Sequence, residues 1–245
     1  MSIYLYALAR DSHLDVLNQL VISGLDQETL AFFHLPPLVV AHSLAKQERY
    51  LASRANLLAH ESAIEQIMHH LEPEVPLPLQ FGLVIDSWQQ LRQDLIDPHL
   101  SKLEQLLDKL AGKREVGIKL FWDQVQELNL LLAENTALNQ KRQSLLGKTL
   151  TMDQAIDIGQ ELEAGLEARQ QQIISSFLTV LRPLCHEYVE GELLTENMVY
   201  NAAFLIDQGR EPEFAEAIAA LDQEFDHRLR IRYNNFTAPF NFASF

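Results

Sequence analysis

Cysteine is almost missing from this chain: Cys185 is a single thiol in 245 residues. One thiol excludes an internal disulfide framework and any zinc site built on several cysteines. Long apolar runs are missing too, since no stretch approaches the roughly 20 residues needed to span a bilayer. The start, Met1-Ser2-Ile3-Tyr4, lacks the charged-then-apolar pattern of a secretory leader. The expectation is a cytoplasmic protein with no lipid-membrane partner. Positive charge is scarce: 19 Lys plus Arg stand against 34 Asp plus Glu, a formal net charge of -15. That sign is poorly suited to a phosphate backbone, so no nucleic-acid partner is expected.

The motifs of common chemistry are incomplete. His60-Glu61-Ser62-Ala63-Ile64 opens like a zinc-protease helix but has no second histidine one turn on. His69 and His70 are adjacent, and adjacent helical side chains diverge. Gly147-Lys148-Thr149 ends like a phosphate loop, yet the residues before it supply no first glycine. Cys185 and His186 point to opposite faces of an extended strand, which leaves Cys185 as a small buried hydrophobe. No catalytic residue, metal ligand or cofactor is assigned.

What is present is ordered and periodic. With 47% hydrophobic residues, the chain has material for one large core or two modest ones. Ile3–Ala9, Leu30–Phe33 and Leu38–Ala41 are apolar runs without helical spacing, and Pro36-Pro37 marks a turn or sheet edge. Leu57, Ile64, Ile67, Met68 and Leu71 form a helical stripe over 49–71. Pro73, Pro76 and Pro78 end it. A strand is predicted over Leu79–Ile85, with Gly82 at a bulge or close approach. Ser87 caps a short helix ending before Pro98, and Leu100, Leu103, Leu107 and Leu110 stripe the next.

Val116, Ile118, Leu120 and Trp122 then alternate as a strand buried mainly on one side. Asp123 caps a helix reaching Leu146, with a break near Asn135-Thr136. Thr151 or Asp153 opens the longest helix, which Pro183 ends. Strands over Cys185–Val189 and Asn197–Ile206 follow, then a helix started by Pro212. A last strand spans Leu229–Tyr233. The fold class is α+β with two domains, 1–110 and 111–245. Without its inserted helices, the second has the β-α-β-β-α-β order of a ferredoxin-like sandwich.

Two features stand apart. Arg228, Arg230 and Arg232 alternate with apolar residues, so a strand places all three on one face. They meet either an acidic partner or the chain's own surplus carboxylates, and internal pairing is favoured. Phe236, Phe240, Phe242 and Phe245 crowd the last ten residues. Leaving them in water is costly at roughly 25 cal/mol per Å² of apolar area, which favours docking on the fold over binding a partner.

A series of segments resembles the gas vesicle protein F/L family. They are Ile3-Tyr4-Leu5-Tyr6-Ala7, Leu77-Pro78-Leu79-Gln80-Phe81-Gly82 and the stretch from Gly112-Lys113-Arg114-Glu115 to Phe121-Trp122-Asp123. Asn201-Ala202-Ala203-Phe204-Leu205-Ile206-Asp207, Arg230-Ile231-Arg232-Tyr233 and Pro239-Phe240-Asn241-Phe242 complete the series. Their order and spacing carry the resemblance, which sits nearer the F branch of cyanobacterial type. The family tail usually reads glycine-proline before its aromatics, where this chain has Thr237-Ala238-Pro239.

The resemblance implies two α+β domains, the second a modified ferredoxin-like fold. It implies no catalysis and no cofactor. It implies association with gas vesicles, and contact with their small hydrophobic shell protein or other accessory proteins. The alternative is a ferredoxin-like RNA-binding module, for which the arginine row is the support. An enzyme with a cleft assembled only in three dimensions is the third reading.

Overall fold

The protein is described from a computed structural model covering residues 2–149 and 151–244. Contacts divide it into two compact units that exchange segments. One holds Met1–Val116, Phe204–Glu211 and Asn234–Phe245, and the other holds Gly117–Ala203 and Pro212–Tyr233.

The first unit is built on β1 (Ile3–Arg10). Tyr4, Leu5, Tyr6, Ala7 and Leu8 are all buried, because β1 has covered faces on both sides. That explains an apolar run without alternation. A short helix α1 (Leu14–Leu17) precedes β2 (Ala31–Leu35) and β3 (Leu38–Leu44), which pair antiparallel across Pro36-Pro37. β2 is the outer strand of the order β2-β3-β1-β4. Helix α2 (Arg54–Leu71) starts where the Ser53 side chain accepts from Asn56 N–H, and buries Ile64, Ile67, Met68 and Leu71.

Two expectations fail in the next stretch. The strand predicted over Leu79–Ile85 is reduced to β4 (Leu77–Pro78) and β5 (Val84–Ile85), both paired to β1. Between them the chain arches as a loop. Leu79 N–H donates to Tyr6 O at 2.8 Å and Leu5 N–H to Leu83 O at 3.0 Å. Gly82 turns the arch with a φ of 90°, a conformation side chains disfavour, and a Cβ there would touch nothing. Nor does a helix end before Pro98. After α3 (Trp88–Leu91) a π turn at Arg92–Ile96 leads straight into α4 (Asp97–Leu110). Widening the helix makes room for a ring that would otherwise meet the carbonyl four residues back.

The second sheet takes β6 (Lys113–Phe121) as its first strand. Helices α5 (Gln124–Glu134), α6 (Thr136–Leu145) and α7 (Met152–Leu181) follow. Asp123 caps the first, Asn135 separates and caps the second, and Thr151 with Gln154 forms a capping box on the third. β7 (Glu187–Glu190), β8 (Met198–Asp207), α8 (Glu211–Glu224) and β9 (Arg230–Thr237) complete the chain. The strand order is β7-β8-β6-β9, so β9 is an edge. Cys185 lies before β7 and is partly exposed, not buried as the sequence suggested. Arg228 likewise precedes β9, because Asp226 and His227 make a left-handed turn with φ of 52° and 54°. Only Arg230 and Arg232 share the strand's face.

Candidate interaction surface

Phe236, Phe240 and Phe242 belong to the first unit, Arg228, Arg230 and Arg232 to the second. Phe245 lies outside the described residues. In the first unit the tail docks. Ala238, Phe242 and Ala243 are buried, and the Lys109 ammonium lies 5.7 Å from the Phe242 ring centroid. The Arg114 guanidinium covers Phe236 at 5.0 Å. Phe240 lies 6.1 Å from His60, next to an aromatic cluster of Tyr4, Tyr6 and Phe81. A cavity of 490 Å³ is lined by Leu79, Phe81, Gly82, Leu95, Phe240 and Ala243, among others.

Two buried polar groups sit beneath this arrangement. Glu115 is 4% exposed. Its Oε2 accepts from the Asn241 backbone N–H at 3.1 Å and its Oε1 from Asn241 Nδ2 at 2.6 Å. Burial raises the Glu115 pKa to about 7, with Glu61 adding to the rise and the Asn241 bonds opposing it. His60 is 2% exposed, and burial lowers its pKa to about 4. Its neutral ring donates from Nε2 to Leu79 O and accepts from Tyr4 Oη at Nδ1, each at 3.0 Å. Tyr4 Oη in turn accepts from Gly82 N–H at 2.9 Å.

In the second unit the three arginines divide. Arg228 Nε lies 3.5 Å from Glu127 Oε1, and Glu127 is 1% exposed. The same carboxylate takes Arg169 Nε at 3.1 Å, while Arg169 also reaches Glu134 at 2.6 Å. Arg228 therefore faces a carboxylate of its own chain, although its buried Nε makes no hydrogen bond among the described residues. Arg230 and Arg232 are exposed and are held over the Phe121 ring, 4.5 Å and 5.1 Å from its centroid. Lys119, two residues earlier on Phe121's own strand, is exposed on the same face. Among the described residues no carboxylate is within ion-pair distance of Lys119, Arg230 or Arg232.

Sequence reasoning missed Glu115, Glu127, Lys119 and Phe121. The only available signal was the alternation of β6: Val116, Ile118 and Leu120 take one face, leaving Glu115, Lys119 and Phe121 on the other. Among the described residues no group of three or more His, Cys, Asp or Glu is arranged to hold a metal. No described helix is long and apolar enough to cross a membrane.

Comparison with known proteins covers almost the whole chain. Residues 2–244 match the family described as gas vesicle synthesis protein GvpL/GvpF. Gas vesicle protein F of Dolichospermum flosaquae is 45% identical, covering 98% of this chain and 97% of the relative. The protein of that name from a Nostoc species is 42% identical over the same shares. Among solved structures, GvpF from Anabaena sp. PCC7120 superposes with a TM-score of 0.85 at 39% identity, covering 100% of this chain and 96% of that one. GvpF from Microcystis aeruginosa gives 0.83 at 41% identity, covering 100% and 99%. The mixed helix-and-sheet architecture, the segments from Ile3 to Phe242 and the full-length matches agree, and the chain belongs to the gas vesicle GvpL/GvpF family.

Proposed function

We propose that this protein is a non-enzymatic accessory or structural protein of gas vesicle formation. It contacts the hydrophobic shell protein and other gas vesicle proteins, and resides at the vesicle shell. The observation that carries the reading is the family match across residues 2–244. A shell subunit rich in apolar surface needs protection before it polymerises, and a chain with a net charge of -15 stays soluble while providing it.

We also read the C-terminal domain, 111–245, as a modified ferredoxin-like sandwich and 1–110 as a separate α+β domain. The order β7-β8-β6-β9 supports the first part, being second, third, first, fourth in chain sequence. The compact units change over inside β6, at Val116, close to that boundary, while Phe204–Glu211 and Asn234–Phe245 pack with the first unit. Among the described candidate residues, Arg230 and Arg232 are the exposed ones and lead the proposed contact surface. The RNA-binding alternative is weakened by Phe121, whose ring is covered by two guanidinium groups and offers no open platform to a base.

The test is co-purification with isolated vesicles at physiological salt, together with pull-down of the shell protein. Retention of the chain on vesicles and capture of the shell protein are expected. Absence of both defeats the reading.

A further inference from the structure

The chain has 34 Asp plus Glu, yet among the described residues no carboxylate is within ion-pair distance of Lys119, Arg230 or Arg232. Lys119, Arg230 and Arg232 share one face of the β6–β9 pair, and Phe121 between them fixes the guanidinium groups by contact with its ring. β9 also ends the strand order, so among the described residues one side of its backbone has no neighbouring strand. We propose that this edge and its cationic face dock an extended acidic segment of a partner protein, which adds as a strand beside β9.

The spacing fits such a segment. Alternate residues of a strand stand on one face, roughly 6.7 Å apart. Carboxylates at every second position of an extended partner therefore meet Arg230 and Arg232 in register. Main-chain hydrogen bonds to the free edge supply affinity, and the charge pairs select the sequence and direction. A polyphosphate chain is a poorer fit. Its charges continue past the three cations into the field of a strongly acidic protein. Cationic edges also serve simply to repel other strands, which is the competing account of the same residues.

The probe is a fluorescein-labelled decapeptide of alternating glutamate and valine, titrated against the full chain at low salt and followed by anisotropy. Saturable binding is expected, weakened about tenfold in Arg230→Gln/Arg232→Gln, as two exposed charge pairs allow. Both arginines cover the Phe121 ring, so the variant's melting temperature should fall modestly, and binding is compared at a temperature where both chains are folded. The same peptide N-methylated at alternate residues tests the strand edge without altering the protein, and should not bind. No saturable binding, or equal binding by the methylated peptide, overturns the proposal. So does tighter, arginine-dependent binding of a ten-residue oligouridine, which would make the face a nucleic-acid site. These outcomes are independent of the gas vesicle reading, because a failed titration leaves co-purification with vesicles unaffected.

Discussion

Glu115 and Asn241 are joined by two hydrogen bonds, both accepted by the one carboxylate, across 126 positions of sequence. The pair ties β6 to the aromatic tail. Because burial raises the Glu115 pKa from 4.5 to about 7, the folded state holds this proton more tightly than the unfolded chain does. The stabilisation is complete below about pH 4.5 and is lost as pH rises through 7, a swing of roughly 3 kcal/mol at most. Glu115→Gln removes the titration. Urea unfolding at pH 5 and pH 8 should show the wild type losing more stability than the variant between those values. Identical profiles would clear Glu115 of the effect.

His60 acts in the opposite sense. Its pKa is lowered from 6.5 to about 4 by burial, as is that of His42. Here the unfolded chain binds the proton better, so stability is complete above about pH 6.5 and falls as the medium acidifies towards 4. Between pH 4.5 and 6.5 the slope from Glu115 cancels that of one histidine. Glu115→Gln should therefore steepen acid destabilisation in this window, and His60→Gln should flatten it. Equilibrium unfolding at half-unit pH steps measures both.

The parts of the fold that were legible in sequence follow from local rules. Asn135 was readable as a helix break because its side chain accepts from Leu138 N–H and starts a second helix. The run around β1 was readable because every residue from Tyr4 to Leu8 is buried. What could not be read depends on distant partners. Nothing near Glu115 in sequence says that Asn241 will satisfy it, so a charged residue on a strand looks solvated. The arginine row looked uniform, but the left-handed turn at Asp226-His227 detaches Arg228 and delivers it to Glu127. Pro98 looked like a stop because a π turn leaves no pattern of apolar spacing to recognise.

Glu127 stands between Arg169 and Arg228 and is almost inaccessible. Arg169→Met should cost about 3 kcal/mol, since it leaves a buried carboxylate with one weak partner. Glu127→Leu together with Arg169→Met should be less harmful than the sum of the two changes, because the buried carboxylate and its main partner leave together, and only Arg228 loses its 3.5 Å contact. Guanidinium unfolding of the two single variants and the double variant gives the coupling directly.

Two glycines of α7 should respond with opposite signs to the same change. A Cβ at Gly159 would meet nothing, so Gly159→Ala should stabilise by about 0.5–1 kcal/mol through helix propensity. A Cβ at Gly165 would lie 2.6 Å from Leu131 Cδ2. Leu131 is buried in a cluster with Leu132 and Leu138, so it has little room to yield. Gly165→Ala should destabilise by about 1–2 kcal/mol, overpacking outweighing propensity. Thermal melts of the two variants decide the matter, and equal shifts would refute it.

The Glu115–Asn241 bond also sets a timetable. A ribosome adding roughly 5–20 residues per second makes Asn241 about 6–25 s after Glu115. During that interval β6 has been synthesised but its carboxylate has no amide to receive. The first unit draws on Phe204–Glu211 and Asn234–Phe245 as well as on the opening residues. It therefore cannot finish folding in the order in which it is translated: its earlier residues wait for its later ones, and the segment from Asn234 acts as the closing stitch of that unit.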